Sequence, residues 1–389
     1  MNSNTLLMTR AVRGFEPTRF LFVSGRPRTL WTGRRDRGET RSRNLEGGRG
    51  AILTKAIHPS LFPTAALARQ VERSFSSSSS SNLNEIKPKG ESVELDFETF
   101  HPSIQRDQGG GVAAALRPES VVVCHGLFGS KQNWRSLGKS MAGRFGVPVY
   151  TLDLRNHGTS PHVEGISYAD MANDVLGFIR QKGLKRVGLI GHSMGGKVVQ
   201  ALTLSPSLPK GLVSHLVSVD MAPARGPISK EFEEYIEGML EIERSQVRTR
   251  SEADKILEKI EKDLGVRQFL LTNLHRNPPE SPTWSFRIPV ETIKRNLSQI
   301  GDFPYDPPGY QGDDAGKREV RSWEDGKVLF IKGAKSKYIN RRNIPTCEAY
   351  FPGKKLSVMD TGHWCQAERP NEFVDIVDKF FRGEEIPQH

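Results

Sequence analysis

Gly191-His192-Ser193-Met194-Gly195 has the spacing of a nucleophile turn, G-x-S-x-G. A serine with glycines two residues away on both sides can sit on a strand-to-helix turn so tight that larger neighbours would collide. The flanks agree with that geometry. Arg186–Ile190 reads as a buried strand, and Met194–Leu204 as a helix whose buried face is Val198, Ala201 and Leu202. Ser193 is therefore expected at the carboxyl edge of a sheet, where open α/β sheets bind ligands. Its chemistry would be attack on a carbonyl, with the helix N-terminus offering backbone N–H groups to the developing oxyanion. The plainer reading is a Gly-Ser turn between strand and helix without chemistry; the flanks as they stand favour the nucleophile turn. The Met194 N–H is one expected oxyanion donor. The other is Leu127, in His125-Gly126-Leu127-Phe128-Gly129, which follows the first buried strand. His125 itself is read as a structural hydrogen-bonder.

A serine needs a base, and on this kind of sheet the chain order is Ser, acid, His. Of ten histidines, only His363 sits just after the last strand, in Thr361-Gly362-His363-Trp364. His157 and His162 precede the nucleophile and are read as loop-packing residues. The acid is a choice between positions. The next-to-last strand runs Val328–Ile331 into Lys332–Lys337 without a carboxylate, whereas the preceding strand, His215–Val219, ends at Asp220. An Asp there can hold the neutral histidine tautomer and stabilise the imidazolium. Asp360 is the alternative, but its closeness to His363 along the chain makes the geometry awkward.

The elements that must position these residues alternate between strand and helix, the pattern of a mainly parallel, doubly wound sheet. Val93–Phe97 suits an outer antiparallel strand, and 102–118, with Gly109-Gly110-Gly111, a loop. Ser120–Cys124 and Val147–Leu154 read as strands, Trp134–Phe145 and Tyr168–Gln181 as helices. From 223 to 323 the alternation stops in favour of charged helical stretches, with candidates at Phe232–Glu243, Glu252–Leu264 and Val290–Ile300. Strand-like Val328–Ile331 and Leu356–Met359, a helix near Ile344–Tyr350 and a closing helix Asn371–Phe381 then resume it. The expected organisation is a core in two parts, 93–222 and 324–389, with a helical lid at 223–323 between them.

The net charge of +11 is not spread evenly. Residues 1–75 hold thirteen Arg and one Lys against five Asp and Glu, a net of +9, which leaves +2 for residues 76–389. That distribution argues against a phosphate-binding surface on the folded part, hence against a nucleic-acid partner. Arg-rich, acid-poor composition without a continuous apolar stretch instead marks an organelle targeting segment over 1–75. Arg73-Ser74-Phe75 resembles a matrix processing site, so the mature protein is expected to begin near Ser76, with 76–92 a Ser-rich linker, in the mitochondrial matrix. No run of about 18 apolar residues suggests a membrane span. Cys124, Cys347 and Cys365 are too scattered for a disulfide framework or a zinc motif. There is no metalloprotease helix, phosphate-binding loop or dinucleotide fingerprint, so neither metal nor organic cofactor is expected.

Five ordered segments go further: His125–Lys131, Asp153–Pro161, Gly191–Lys197, Val219–Pro223 and Gly362–Trp364. Together they resemble the α/β-hydrolase group of abhydrolase-domain-containing protein 11 and its fungal relatives, which includes the yeast ethanol acetyltransferases. The resemblance covers about residue 93 to the end, with Leu270–Leu274 also similar. It implies the α/β-hydrolase fold and mitochondrial serine hydrolase activity. It also implies an acid on the strand after the nucleophile, in agreement with Asp220. The Arg-rich leader and the Gly-rich loop depart from the group. The expected substrate is a small acyl ester or thioester, with an alcohol as the alternative acceptor to water. A non-catalytic binding protein on the same fold is the rival from another class. Ser at 193, where halide- and epoxide-cleaving relatives of the fold carry Asp, argues against that chemistry.

Overall fold

The computed structural model describes residues 92–103 and 117–387. The expected targeting segment, nearly all of the Ser-rich linker and the triple glycine lie outside the described residues.

Seven strands form one sheet: β1 (Phe97–Phe100), β2 (Ser120–Cys124), β3 (Val149–Leu152), β4 (Val187–His192), β5 (Val213–Val219), β8 (Lys327–Gly333) and β9 (Lys355–Met359). Their order is β1-β3-β2-β4-β5-β8-β9, antiparallel only between β1 and β3. The interior strands are buried apolar runs, as a sheet covered on both faces requires. Alternate residues of β2 separate the two cores. Val121 and Val123 face α1 (Arg135–Phe145) and α11 (Pro370–Arg382), while Val122 faces α2 (Tyr168–Gln181) and α3 (Met194–Thr203). Phe373 of α11 is fully buried edge-on to Trp134.

Register sets the height of the site. Cys124 pairs with Gly191, His192 with Val219, Val219 with Ile331, and Gly333 with Met359. The neighbouring strands thus end at nearly one level, and the next residues on β4 and β5 are Ser193 and Asp220. Their amides extend the ladder: Ser193 N–H donates to Val219 O at 3.1 Å and Asp220 N–H to Ile331 O at 2.7 Å.

Between β5 and β8, residues 223–323 hold α4 (Lys230–Arg244), α5 (Arg250–Leu257), α6 (Leu264–Leu271), α7 (Val290–Arg295), α8 (Leu297–Gly301) and a ribbon of β6 (Leu274–His275) and β7 (Ser285–Phe286). After β8 come α9 (Ile344–Tyr350) and α10 (Cys365–Glu368).

Three boundaries differ from the sequence expectation for local reasons. The helix expected over Glu252–Leu264 is two helices, because Asp263 caps α6, accepting from Val266 N–H at 3.0 Å. The helix expected over Val290–Ile300 breaks at Asn296, whose amide turns back to Thr292 O at 2.9 Å. The edge strand lies later than Val93–Phe97. Val93 N–H is taken by Asp174 Oδ1 at 2.9 Å and Asp96 N–H by Ser160 Oγ at 2.8 Å, so pairing with β3 starts only at Phe97. No helix among the described residues is long and apolar enough to cross a membrane.

Candidate active site

Ser193 stands between β4 and α3 with φ +54° and ψ −120°. A non-glycine residue held there stores roughly 1–3 kcal/mol of backbone strain, which persists only where the surroundings enforce it. They do. A Cβ on Gly191 would lie 2.1 Å from Gly195 O, and one on Gly195 would lie 2.3 Å from Cys124 O. The turn packs backbone against backbone, and any side chain there would force it open.

His363, in the segment between β9 and α10, turns Nδ1 to Asp220 Oδ2 at 2.8 Å. Asp220 is fully buried, and its other oxygen accepts from Gly333 N–H at 3.1 Å. Because the carboxylate can only accept, Nδ1 carries the proton, so in the neutral imidazole Nε2 is the atom with the lone pair. That Nε2 is buried and has no hydrogen-bond partner among the described residues, and the ring lines the same cavity as Ser193. Asp360, the other carboxylate considered, is 61% exposed and pairs with Lys335 and Arg369 at 2.8 and 2.9 Å. It does not face His363.

Leu127 lies beside Ser193 across Gly126, where an added Cβ would be 3.1 Å from Ser193 Cβ. The N–H groups of Leu127 and Met194 have no acceptor among the described residues. Phe128 N–H, by contrast, is committed to His157 Nε2 at 3.2 Å. His157 Nδ1–H donates to Arg155 O at 2.9 Å, and burial pushes this imidazole down to about 3. His125 donates through Nδ1 to Gly126 O at 2.8 Å and accepts Leu154 N–H at 3.0 Å, and burial also lowers it. Both histidines are neutral braces for the loop carrying Leu127. His162 is exposed and makes none of these hydrogen bonds.

Sequence reasoning missed three groups. Tyr338, after β8, stacks on the His363 ring at 4.0 Å between centroids, and burial pushes its phenol up to about 12. His192 donates from Nε2 to His363 O at 2.9 Å, fixing the histidine segment from the nucleophile turn itself. Asn273, buried in the segment after α6, donates to Phe128 O at 2.7 Å and so holds the Leu127 loop from the insertion. Neither Tyr nor Asn has a spacing signature, and the contacts join residues far apart in the chain. The position of His192 inside the turn was the only available signal.

The cavity above Ser193 measures about 380 Å³ and is mainly apolar, with Phe232, Phe269, Leu270 and Trp364 in its walls. Helices α4 and α6 supply much of its roof. Burial holds the Cys365 thiol up at about 12, so this cysteine near His363 is no rival nucleophile. Among the described residues no group of three or more His, Cys, Asp or Glu could hold a metal ion.

Residues 119–370 match the family model described as alpha/beta hydrolase fold. The chain belongs to the α/β-hydrolase family. Over 265 residues this α/β-hydrolase is 37% identical to the sn-1-specific diacylglycerol lipase of Xenopus laevis, spanning 67% of this chain and 78% of that protein. It is 37% identical over 281 residues to a probable alcohol acetyltransferase of Saccharomyces cerevisiae, spanning 68% of this chain and 78% of that protein. Among solved structures it is similar to a marine microorganism esterase, with 31% identity and a TM-score of 0.62, covering 74% of this chain and all of that one. Relatives of both names, lipase and acetyltransferase, place this α/β-hydrolase among enzymes that move acyl groups.

Proposed function

We propose that Ser193 is the nucleophile of a mitochondrial serine hydrolase acting on ester or thioester carbonyls, with His363 as base and Asp220 as the orienting acid. One observation carries this reading: the imidazole bonded to buried Asp220 leaves its Nε2 unpartnered in the cavity that also holds the strained Ser193. Ser193 Oγ attacks the carbonyl carbon and gives its proton to His363 Nε2. The oxyanion is received by the N–H groups of Leu127 and Met194. When the tetrahedral centre collapses, the bond to the leaving group breaks and Nε2–H protonates that group, leaving an acyl ester on Ser193. His363 then deprotonates the second nucleophile, which attacks the acyl carbon and frees Ser193. No bond forms in the resting pair, which tightens only around substrate in many enzymes of this kind.

The second nucleophile divides two readings. Water gives an esterase, thioesterase or lipase, and the lipase name of the Xenopus relative supports it. An alcohol gives ester synthesis, which the acetyltransferase name of the yeast relative supports. A panel of acyl esters of increasing chain length, run with and without ethanol, separates them. Hydrolysis is expected to dominate, with free acid as the product. Ethyl ester as the main product would assign the acetyltransferase reading, and absence of turnover with every ester would reject both. The mitochondrial placement rests on the Arg excess before Ser76. N-terminal sequencing of protein from isolated mitochondria is expected to start near Ser76, and an intact Met1 chain confined to cytosol would overturn it.

A further inference from the structure

Ser193 is reached from two sides. A second cavity of about 320 Å³ shares Ser193, Leu127, Phe232 and Tyr338 with the first, but His363 lines only the first. The two differ in chemistry. The second contains Lys197, Arg225 and Lys337 together with Asn340 and Asn343, and among the described residues no Asp or Glu lines it. Arg225 is neutralised by Asp306 at 2.6 Å and Asp314 at 3.3 Å. Lys197 and Lys337 have no carboxylate within ion-pair distance among the described residues. Lys197 is a buried cation held by the carbonyls of Ile300, Gly301 and Asp302, at 3.4, 3.3 and 3.0 Å, and lies 5.2 Å from the centre of the Tyr168 ring. Burial lowers it to about 8. The Asp302 carboxylate attracts it from beyond ion-pair distance but is itself paired with Arg318 at 3.0 Å, so an anion beside this buried ammonium would improve the balance.

The position of His363 assigns the halves of a substrate. The leaving group must receive a proton from His363 Nε2, so it lies in the first, apolar cavity. The acyl half then extends to the other side of Ser193. We propose that the second cavity receives an acyl chain ending in a carboxylate, so that this α/β-hydrolase prefers monoesters or thioesters of short dicarboxylic acids. The volume, about ten water-sized portions, suits a short chain rather than a fatty acyl group. The carboxylate would meet Lys337 at the mouth and the field of Lys197 in the wall. The inference rests on the acyl-enzyme reading of Ser193.

The test compares kcat/KM for three aryl esters. The first is mono-p-nitrophenyl glutarate, with the anion in the acyl half. The second is neutral p-nitrophenyl butyrate, and the third is the butyrate ester of 4-hydroxybenzoate, with the anion in the leaving group. The native protein is expected to favour the glutarate. Lys337→Glu is expected to lower the glutarate-to-butyrate ratio by about fivefold at low ionic strength, since an exposed charge pair is worth no more, and added salt should shrink the difference. Lys337→Gln should fall between. A ratio unmoved by either variant, or a preference for the hydroxybenzoate ester, would overturn the proposal. Turnover of butyrate without preference for glutarate refutes the anion site alone. Failure to turn over any of the three refutes the Ser193 reading, and this inference with it.

Discussion

Asp220 has a left-handed backbone, φ +49°, and a side chain with no solvent access. Both features follow from its place one residue beyond β5, where the chain must leave the sheet while its carboxylate turns toward His363. Asp220→Asn keeps the shape but offers an amide where Nδ1–H needs an acceptor, so the imidazole is held in the wrong tautomer. In the best-studied serine protease the corresponding change lowers turnover by on the order of 10⁴. A loss of similar scale is expected here, with the fold checked by circular dichroism. Asp360→Asn removes only exposed pairs with Lys335 and Arg369 and should leave turnover within about twofold. The opposite ranking would move the acid to Asp360. The types and chain order of Ser193, Asp220 and His363 were legible because nucleophile, acid and base need particular chemistry just after particular strands. Tyr338 was not, because a ring stacked on His363 has no required spacing from it.

At the scale of elements, the loop after β2 is held from three directions: by His125, by His157 and by Asn273 from the insertion. Asn273 makes the insertion part of the machinery that positions Leu127. Asn273→Ala removes the bond to Phe128 O and leaves a buried carbonyl without it, a change worth about 1–3 kcal/mol where it is felt. The expected outcome is kcat lowered by roughly tenfold with KM little changed, since the loop would meet the oxyanion less well. A pure KM effect would show that Asn273 shapes the cavity without positioning Leu127. The sheet and its flanking helices were readable from apolar runs and helical periodicity; Tyr168–Gln181 and Ile344–Tyr350 agree at both ends. The insertion was readable only as helical. Its breaks at Asp263 and Asn296 depend on caps and back-bonds, which periodicity does not encode.

At the scale of the molecule, four buried histidines among the described residues are held neutral. Burial lowers His125 and His192, and brings His157 and His215 down to about 3. In the unfolded chain each would titrate near 6.5. Between about pH 6.5 and pH 3 the unfolded state therefore binds more protons, so stability falls as the solution is acidified. His157 and His215 each contribute up to about 1.4 kcal/mol per pH unit in that window. Urea midpoints measured from pH 7 to pH 4 should drop steeply, and His215→Phe, at a site packed against Phe380 and Phe381, should flatten the slope. A slope unchanged in that variant would show that His215 is protonated in the folded protein. Charge was legible at this scale only as a distribution. The Arg excess before Ser76 was plain, whereas the cationic second cavity is assembled from Lys197, Arg225 and Lys337, which the sequence scatters.

The central claim is a covalent acyl group on Ser193. Mixing the protein with p-nitrophenyl acetate, quenching in acid within the first turnover and mapping the peptides by mass spectrometry reads it directly. A single acetyl group on the peptide carrying Ser193 is expected, absent from Ser193→Ala and accumulating in step with the first release of nitrophenol. Nitrophenol release that Ser193→Ala retains, or an acetyl group on any residue other than Ser193, would contradict the account.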